Sequence, residues 1–114
     1  MEEIRMDLGL KGKVAVVAAA SKGLGRAVAM AYAAEGASVA ICGRDEETIN
    51  ATAAEIRQAT GAQVLAVRAD VTRADDVARF IDEAAAHFGR IDALVCNAGG
   101  PPAGTFRTLT DAQW

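Results

Sequence analysis

The chain has 114 residues, one domain's worth (1–114), and its 52% hydrophobic and 24% charged residues exclude a disordered polymer. A net charge of −3 with no long basic run argues against nucleic acid as a partner, and no stretch reaches the roughly 18 apolar residues that a membrane span requires. Residues 1–10 mix Glu, Arg and Asp, which does not suit a secretory signal, so the expected location is cytoplasmic.

The Val-rich run at 13–20 (KVAVVAAA) predicts a first strand, interrupted by residues 21–25. Residues 26–35 then predict a helix with Val28, Ala31 and Tyr32 on its apolar face and Gly36 as its stop. A second strand is expected at 38–42 (SVAIC). Asp45 is placed to cap a helix over 46–60, and Gly61 to end it. Residues 63–67 (QVLAV) predict a third strand. Thr72 reads as the N-cap of a third helix, with Asp75 completing a capping-box-like pair. Val77, Phe80, Ile81, Ala84 and Phe88 repeat at helical spacing up to Gly89, and 91–96 (IDALVC) reads as a fourth strand.

Near-continuous apolar strands alternating with amphipathic helices imply an α/β fold with a parallel sheet covered on both faces. Right-handed crossovers then make a doubly wound sheet the natural product. Cys42 and Cys96 each end an apolar run without metal-ligand spacing, so they read as small buried residues in a reducing compartment, with no metal site and no disulfide. The acidic groups at 45–47 and 75–76 sit at helix starts, where negative charge is favourable. Residues 97–108 form a Gly- and Pro-rich loop. Thr110 and Gln113 look like the start of another helix, so the domain is expected to be truncated there.

Between the first strand and first helix lies Ser21-Lys22-Gly23-Leu24-Gly25. Glycines in such a turn let the backbone approach a pyrophosphate, and the helix N-terminus offers free N–H groups and partial positive charge. The same residues are also compatible with a tight turn that holds no ligand. An NAD site usually carries Asp or Glu at the end of the second strand, to hold the ribose 2′-hydroxyl. Here the chain has Cys42-Gly43-Arg44. Arg44 is suited to a 2′-phosphate through paired, charge-assisted hydrogen bonds, and Lys22 adds a second cation. The residues alone leave both open as solvated loop cations, and Asp45 and Glu46 lie close by.

The run AAASKGLG at 18–25, Ala69-Asp70-Val71 after the third strand and NAGG at 97–100 after the fourth together resemble the short-chain dehydrogenase/reductase family. The 3-oxoacyl-acyl-carrier-protein reductase group is the nearest look. The resemblance covers about residues 10–114 and implies a Rossmann fold with strand order 3-2-1-4, in its N-terminal βαβαβαβ portion. It implies hydride transfer between a nicotinamide cofactor, NADP(H) in preference to NAD(H), and a carbonyl or alcohol. It places Ser21, Lys22, Gly23, Leu24, Gly25 and Arg44 on the cofactor phosphates. Asp70 would bond the adenine amino group, Val71 would pack on the ring, and Asn97, Ala98 and Gly99 would lie beside the nicotinamide ribose; the residues also allow Asp70 simply to begin a turn before Thr72, and Asn97 to steady the central strand without touching the cofactor. The full-length enzyme would be a homo-oligomer.

Two departures stand out. The family's glycine motif usually begins Thr-Gly, where this chain has Ala18-Ala19; alanine at 19 suits the turn only if its φ stays negative. The family's Ser-Tyr-Lys chemistry also cannot be assembled from this sequence. Its one tyrosine, Tyr32, is followed four residues later by Gly36, and reads as core. His87 reads as a helix-end cation. No catalytic residue is assigned, and this part alone is expected to be inactive. In the 3-2-1-4 order the fourth strand would be an open edge prone to association. The alternatives are a non-catalytic nucleotide-binding module or a partner-binding one. The substrate is not legible; 100–106 (GPPAGTF) would line its entrance by analogy only.

Overall fold

Four strands and three helices alternate over the residues that the computed structural model describes, 10–20 and 23–96. They are β1 (Val14–Ala18), α1 (Gly23–Ala34), β2 (Ser38–Gly43), α2 (Glu46–Thr60), β3 (Val64–Arg68), α3 (Ala74–Phe88) and β4 (Ala93–Cys96). The strands form one parallel sheet in the order β3-β2-β1-β4, the doubly wound arrangement expected from the strand and helix pattern. The expected helix start at Thr110 lies outside the described residues.

The register explains the two-sided apolar pattern. Successive side chains of a strand point to opposite faces. Val17, Val39 and Ile41 therefore meet α1 and α2, in a cluster with Ala29, Ala33, Ile49, Ala53 and Ile56. Val16, Ala18, Ala40 and Cys42 point the other way and meet α3 through Phe80 and Ala84. All five residues of β1 are buried, as befits a strand with neighbours on both sides. Each fully buried Ile or Phe contributes about 1.5–3 kcal/mol relative to exposure.

Helix α2 runs over the residues that its flanking signals indicate. Asp45 Oδ1 accepts from the N–H groups of Glu47 and Thr48 at 3.0 and 3.4 Å. Gly61 ends the helix with φ 76°, donating its N–H to the Arg57 carbonyl. Gly89 closes α3 in the same way, with φ 83° and a bond to Ala85.

Three local expectations are corrected. Helix α1 begins at Gly23, not at 26, and its buried stripe is Gly25, Ala29 and Ala33. Small residues at this i, i+4, i+8 spacing let the helix sit close to the sheet. Ala31 is exposed, and Val28 and Tyr32 are only partly buried at the cluster's flank. Second, Thr72 does not cap α3. The N-cap position is Arg73, which makes no side-chain cap bond, because Thr72 is held in a turn by Asp70. Third, β1 and β4 are shorter than their apolar runs: β1 stops at Ala18, where Ala19 turns, and β4 begins after Asp92.

His87 lies exposed in the last turn of α3, its ring edge-on to Phe88 with centroids 4.6 Å apart. Among the described residues no helix is long and apolar enough to cross a membrane, and no group of His, Cys, Asp or Glu is arranged to hold a metal ion.

Candidate functional site

The carboxyl ends of β1, β2 and β3 are tied side by side. Ala20 N–H donates to the Cys42 carbonyl and Ala69 N–H to the Gly43 carbonyl, each at 2.9 Å. The strand-end segments therefore converge: Gly23-Leu24-Gly25 opening α1, Arg44 after β2, and Asp70-Val71 after β3. Ser21, Lys22, Asn97, Ala98 and Gly99, the other five residues expected here, lie outside the described residues.

The glycine turn is defined by how closely the chain packs against itself. A β-carbon on Gly25 would overlap the carbonyl oxygen of Ala19 and approach Ala20 Cα to 3.1 Å. Gly23 has φ +66°, a left-handed conformation that glycine adopts without penalty, with open space where a side chain would project. Leu24 is 55% exposed at the mouth of the turn. The requirement of negative φ at Ala19 is not met, since its φ is +59°. A left-handed φ costs a residue with a β-carbon of order 1–2 kcal/mol.

The amino end of α1 also differs electrostatically from the other two. The first turns of α2 and α3 carry Glu46 and Glu47, and Asp75 and Asp76, whereas that of α1 has no acid. A helix N-terminus of this kind suits an anion, through its N–H groups and dipole.

Arg44 is exposed at the end of β2, and its carbonyl accepts from Arg68 Nε at 3.1 Å. Asp45, its acidic neighbour, is engaged in capping α2, and hydrogen bonds from Thr48 and Glu47 hold its carboxyl below the usual aspartate range. Asp70 Oδ1 accepts both the N–H of Thr72 at 3.0 Å and its hydroxyl at 2.7 Å. Those bonds, with the nearby positive charges of Arg44 and Arg68, keep Asp70 ionised to lower pH than usual despite some desolvation. Val71 is partly buried against the α3-side cluster.

Sequence reasoning missed three groups around these residues. Asp76 Oδ2 accepts the backbone N–H of Asp70 at 2.9 Å, Arg68 lies 3.7 Å from that carboxylate, and Arg79 donates to the Arg68 carbonyl at 2.9 Å. Their signal was faint: Asp76 reads as an ordinary first-turn acid, and Arg68 as a polar strand end.

A cleft of about 350 Å³ lies at the other end of the sheet, lined by Leu10, Lys13, Tyr32 and Asp92 among others. It is at the amino ends of β1 and β4, remote from the glycine turn, and binding in such sheets takes place at the carboxyl ends.

Residues 13–114 match the family model described as short chain dehydrogenase. The 11-beta-hydroxysteroid dehydrogenase-like 2 of Arabidopsis thaliana is 37% identical over 102 residues, which cover 90% of this chain and 33% of that protein. The crystal structure of a hydroxysteroid dehydrogenase from Escherichia coli superposes with a TM-score of 0.77 at 36% identity, over 83% of this chain and 38% of that one. L-sorbose reductase from Gluconobacter frateurii, solved with NADPH and L-sorbose, gives a TM-score of 0.78 at 35% identity, over 82% of this chain and 35% of that one. The chain thus spans about a third of the length of these relatives.

Proposed function

Because the chain belongs to the short chain dehydrogenase family, we propose that it supplies the cofactor-binding part of an oxidoreductase that transfers a hydride between NADP(H) and a small carbonyl or alcohol. The observation that carries this reading is the seating of Gly25 against the Ala19 carbonyl, beneath a helix N-terminus with no acid in its first turn. A β-carbon would fill that cradle, and a nearby carboxylate would repel an anion from it.

In this reading the N–H groups at the start of α1 and the Gly23–Gly25 backbone receive the pyrophosphate. Arg44, joined by Lys22, takes the ribose 2′-phosphate. Asp70 accepts from the adenine amino group, Val71 packs on the ring, and Asn97, Ala98 and Gly99 lie beside the nicotinamide ribose. When bound, the nicotinamide supplies or accepts the hydride. The residues of this chain bind and orient it; none is assigned to acid–base work. The domain 1–114 would act as the cofactor half of a cytoplasmic homo-oligomer.

The strained Ala19 favours a second reading, a nucleotide- or partner-binding module without catalysis. Titration by cofactor fluorescence separates the two. The expected result is tighter binding of NADPH than NADH, with Arg44→Ala removing most of the difference. Equal affinities for the two cofactors refute the role of Arg44. No binding of either refutes the cofactor reading and leaves the partner-binding module.

A further inference from the structure

The two loops assigned to the cofactor's adenosine end do not rest independently on the sheet. After β2, the carbonyl of Arg44 accepts from Arg68 Nε at 3.1 Å. After β3, the N–H of Asp70 donates to Asp76 Oδ2 at 2.9 Å. Arg68 Nη1 and Asp76 Oδ2 face each other at 3.7 Å, so the two side chains link the two backbones. Arg79 closes the arrangement from α3. It donates to the Arg68 carbonyl at 2.9 Å and lies 3.7 Å from Asp76 Oδ1. Arg68 is the last residue of β3 and pairs in register with Gly43, the residue before Arg44.

We propose that Arg68, steadied by Asp76, ties the Arg44 loop to the end of β3 through its Nε–H, so that Arg68 is a positioning residue for discrimination between NADPH and NADH. The inference rests on the cofactor reading above and adds to it. Arg44 is the group that would meet the 2′-phosphate, but a flexible arginine on an untethered loop loses much of its binding free energy in being ordered. The tie removes backbone freedom at Arg44 before the cofactor arrives. Its geometry also separates a tether from a charge effect. The Nε–H of Arg68, not its outer guanidinium nitrogens, holds the Arg44 carbonyl, and a glutamine side-chain amide nitrogen sits at the same position along the chain.

The test uses the full chain with Arg68→Met, Arg68→Gln and Arg68→Lys, each titrated with NADPH and with NADH. Arg68→Met is expected to weaken NADPH binding about ten-fold, the scale of one hydrogen bond to an ordered group, while changing NADH binding roughly two-fold or less. Arg68→Gln, which restores the donor without the charge, is expected to recover most of the NADPH affinity. An unchanged NADPH-to-NADH ratio in Arg68→Met overturns the proposal. So does recovery by Arg68→Lys but not by Arg68→Gln, which assigns the effect to charge. Amide exchange in the absence of cofactor reads the tether directly. Ala69, Glu47 and Thr48 are expected to exchange faster in Arg68→Met than in the parent and Arg68→Gln, and unchanged exchange overturns the tether. A parent chain that binds neither cofactor refutes the cofactor reading and with it the role in selectivity, while the exchange result still decides whether the tie exists.

Discussion

The carbonyl oxygen of Ala19 occupies the space in which a side chain on Gly25 would begin, six residues further along the chain. This contact joins the end of β1 to the first turn of α1 and sets how closely the helix approaches the sheet. It depends on Ala19 turning with φ +59°. One position where glycine suits the backbone thus carries alanine, and another where only glycine fits has kept it.

Ala19→Gly is expected to stabilise the chain. A left-handed φ costs a residue with a β-carbon about 1–2 kcal/mol, and the greater freedom of glycine in the unfolded chain returns roughly 0.5–1 kcal/mol of that. The net gain is then of order 0.5–1 kcal/mol, visible as a higher urea midpoint at unchanged slope. A lower midpoint in the variant would mean that Ala19 is not strained.

Gly25→Ala should act in the opposite sense and reach further. The atom that the new methyl meets is backbone, so no rotamer change relieves the overlap and α1 must move outward. Overpacking of this kind costs about 1–3 kcal/mol. It also fills the cradle at the helix N-terminus, so cofactor binding is expected to fall by more than the stability loss alone explains. Denaturant melts paired with an NADPH titration of the still-folded variant check both parts. Intact affinity in a destabilised Gly25→Ala would show that the close approach serves packing alone.

Where the signals were local, the sequence was sufficient. Asp45 and Gly61 bracket α2 at the observed residues because a cap and a left-handed stop each act within one turn. The alternation of apolar runs and amphipathic helices likewise implied a parallel, doubly wound sheet, and the family resemblance its 3-2-1-4 order. The errors arose where one polar side chain had two possible partners. Thr72 looked like a cap, but the Asp70 carboxylate takes both its N–H and its hydroxyl, and α3 starts two residues later. The apolar face of α1 was misplaced for another reason: Ala31 and Ala29 are indistinguishable by hydropathy, and only the approach of the helix to the sheet selects Ala29. The roles of Arg68 and Asp76 were illegible because they depend on a contact between the ends of separate elements.

Asp92 offers a test of stability against pH. It sits within an apolar run, and its backbone N–H donates to the Val14 carbonyl while its Oδ2 accepts the Val14 N–H, both at 2.8 Å. It thereby ties the start of β4 to the start of β1, and Arg90 donates to Oδ1 at 2.7 Å. Desolvation opposes its charge, but the bonds from Arg90 and Val14, with the positive charges of Arg90 and Lys13, outweigh it and leave the carboxyl below its ordinary value. A depressed native pKa means that the unfolded chain binds more protons in this range, so stability rises with pH. The contribution is complete above the unfolded value of about 3.9 and disappears as pH falls through the lower native value. Asp92→Ala is therefore expected to cost about 1–2 kcal/mol near pH 7, a bond to a partly screened charge, and progressively less below about pH 4. Asp92→Asn retains an acceptor for Val14, so its deficit should be smaller near pH 7, and it too should shrink below about pH 4 as the parent carboxylate is protonated. Urea unfolding of the three proteins along a pH series measures this; a deficit in Asp92→Ala that persists undiminished in acid would show that packing, and not the carboxylate, joins the two strands.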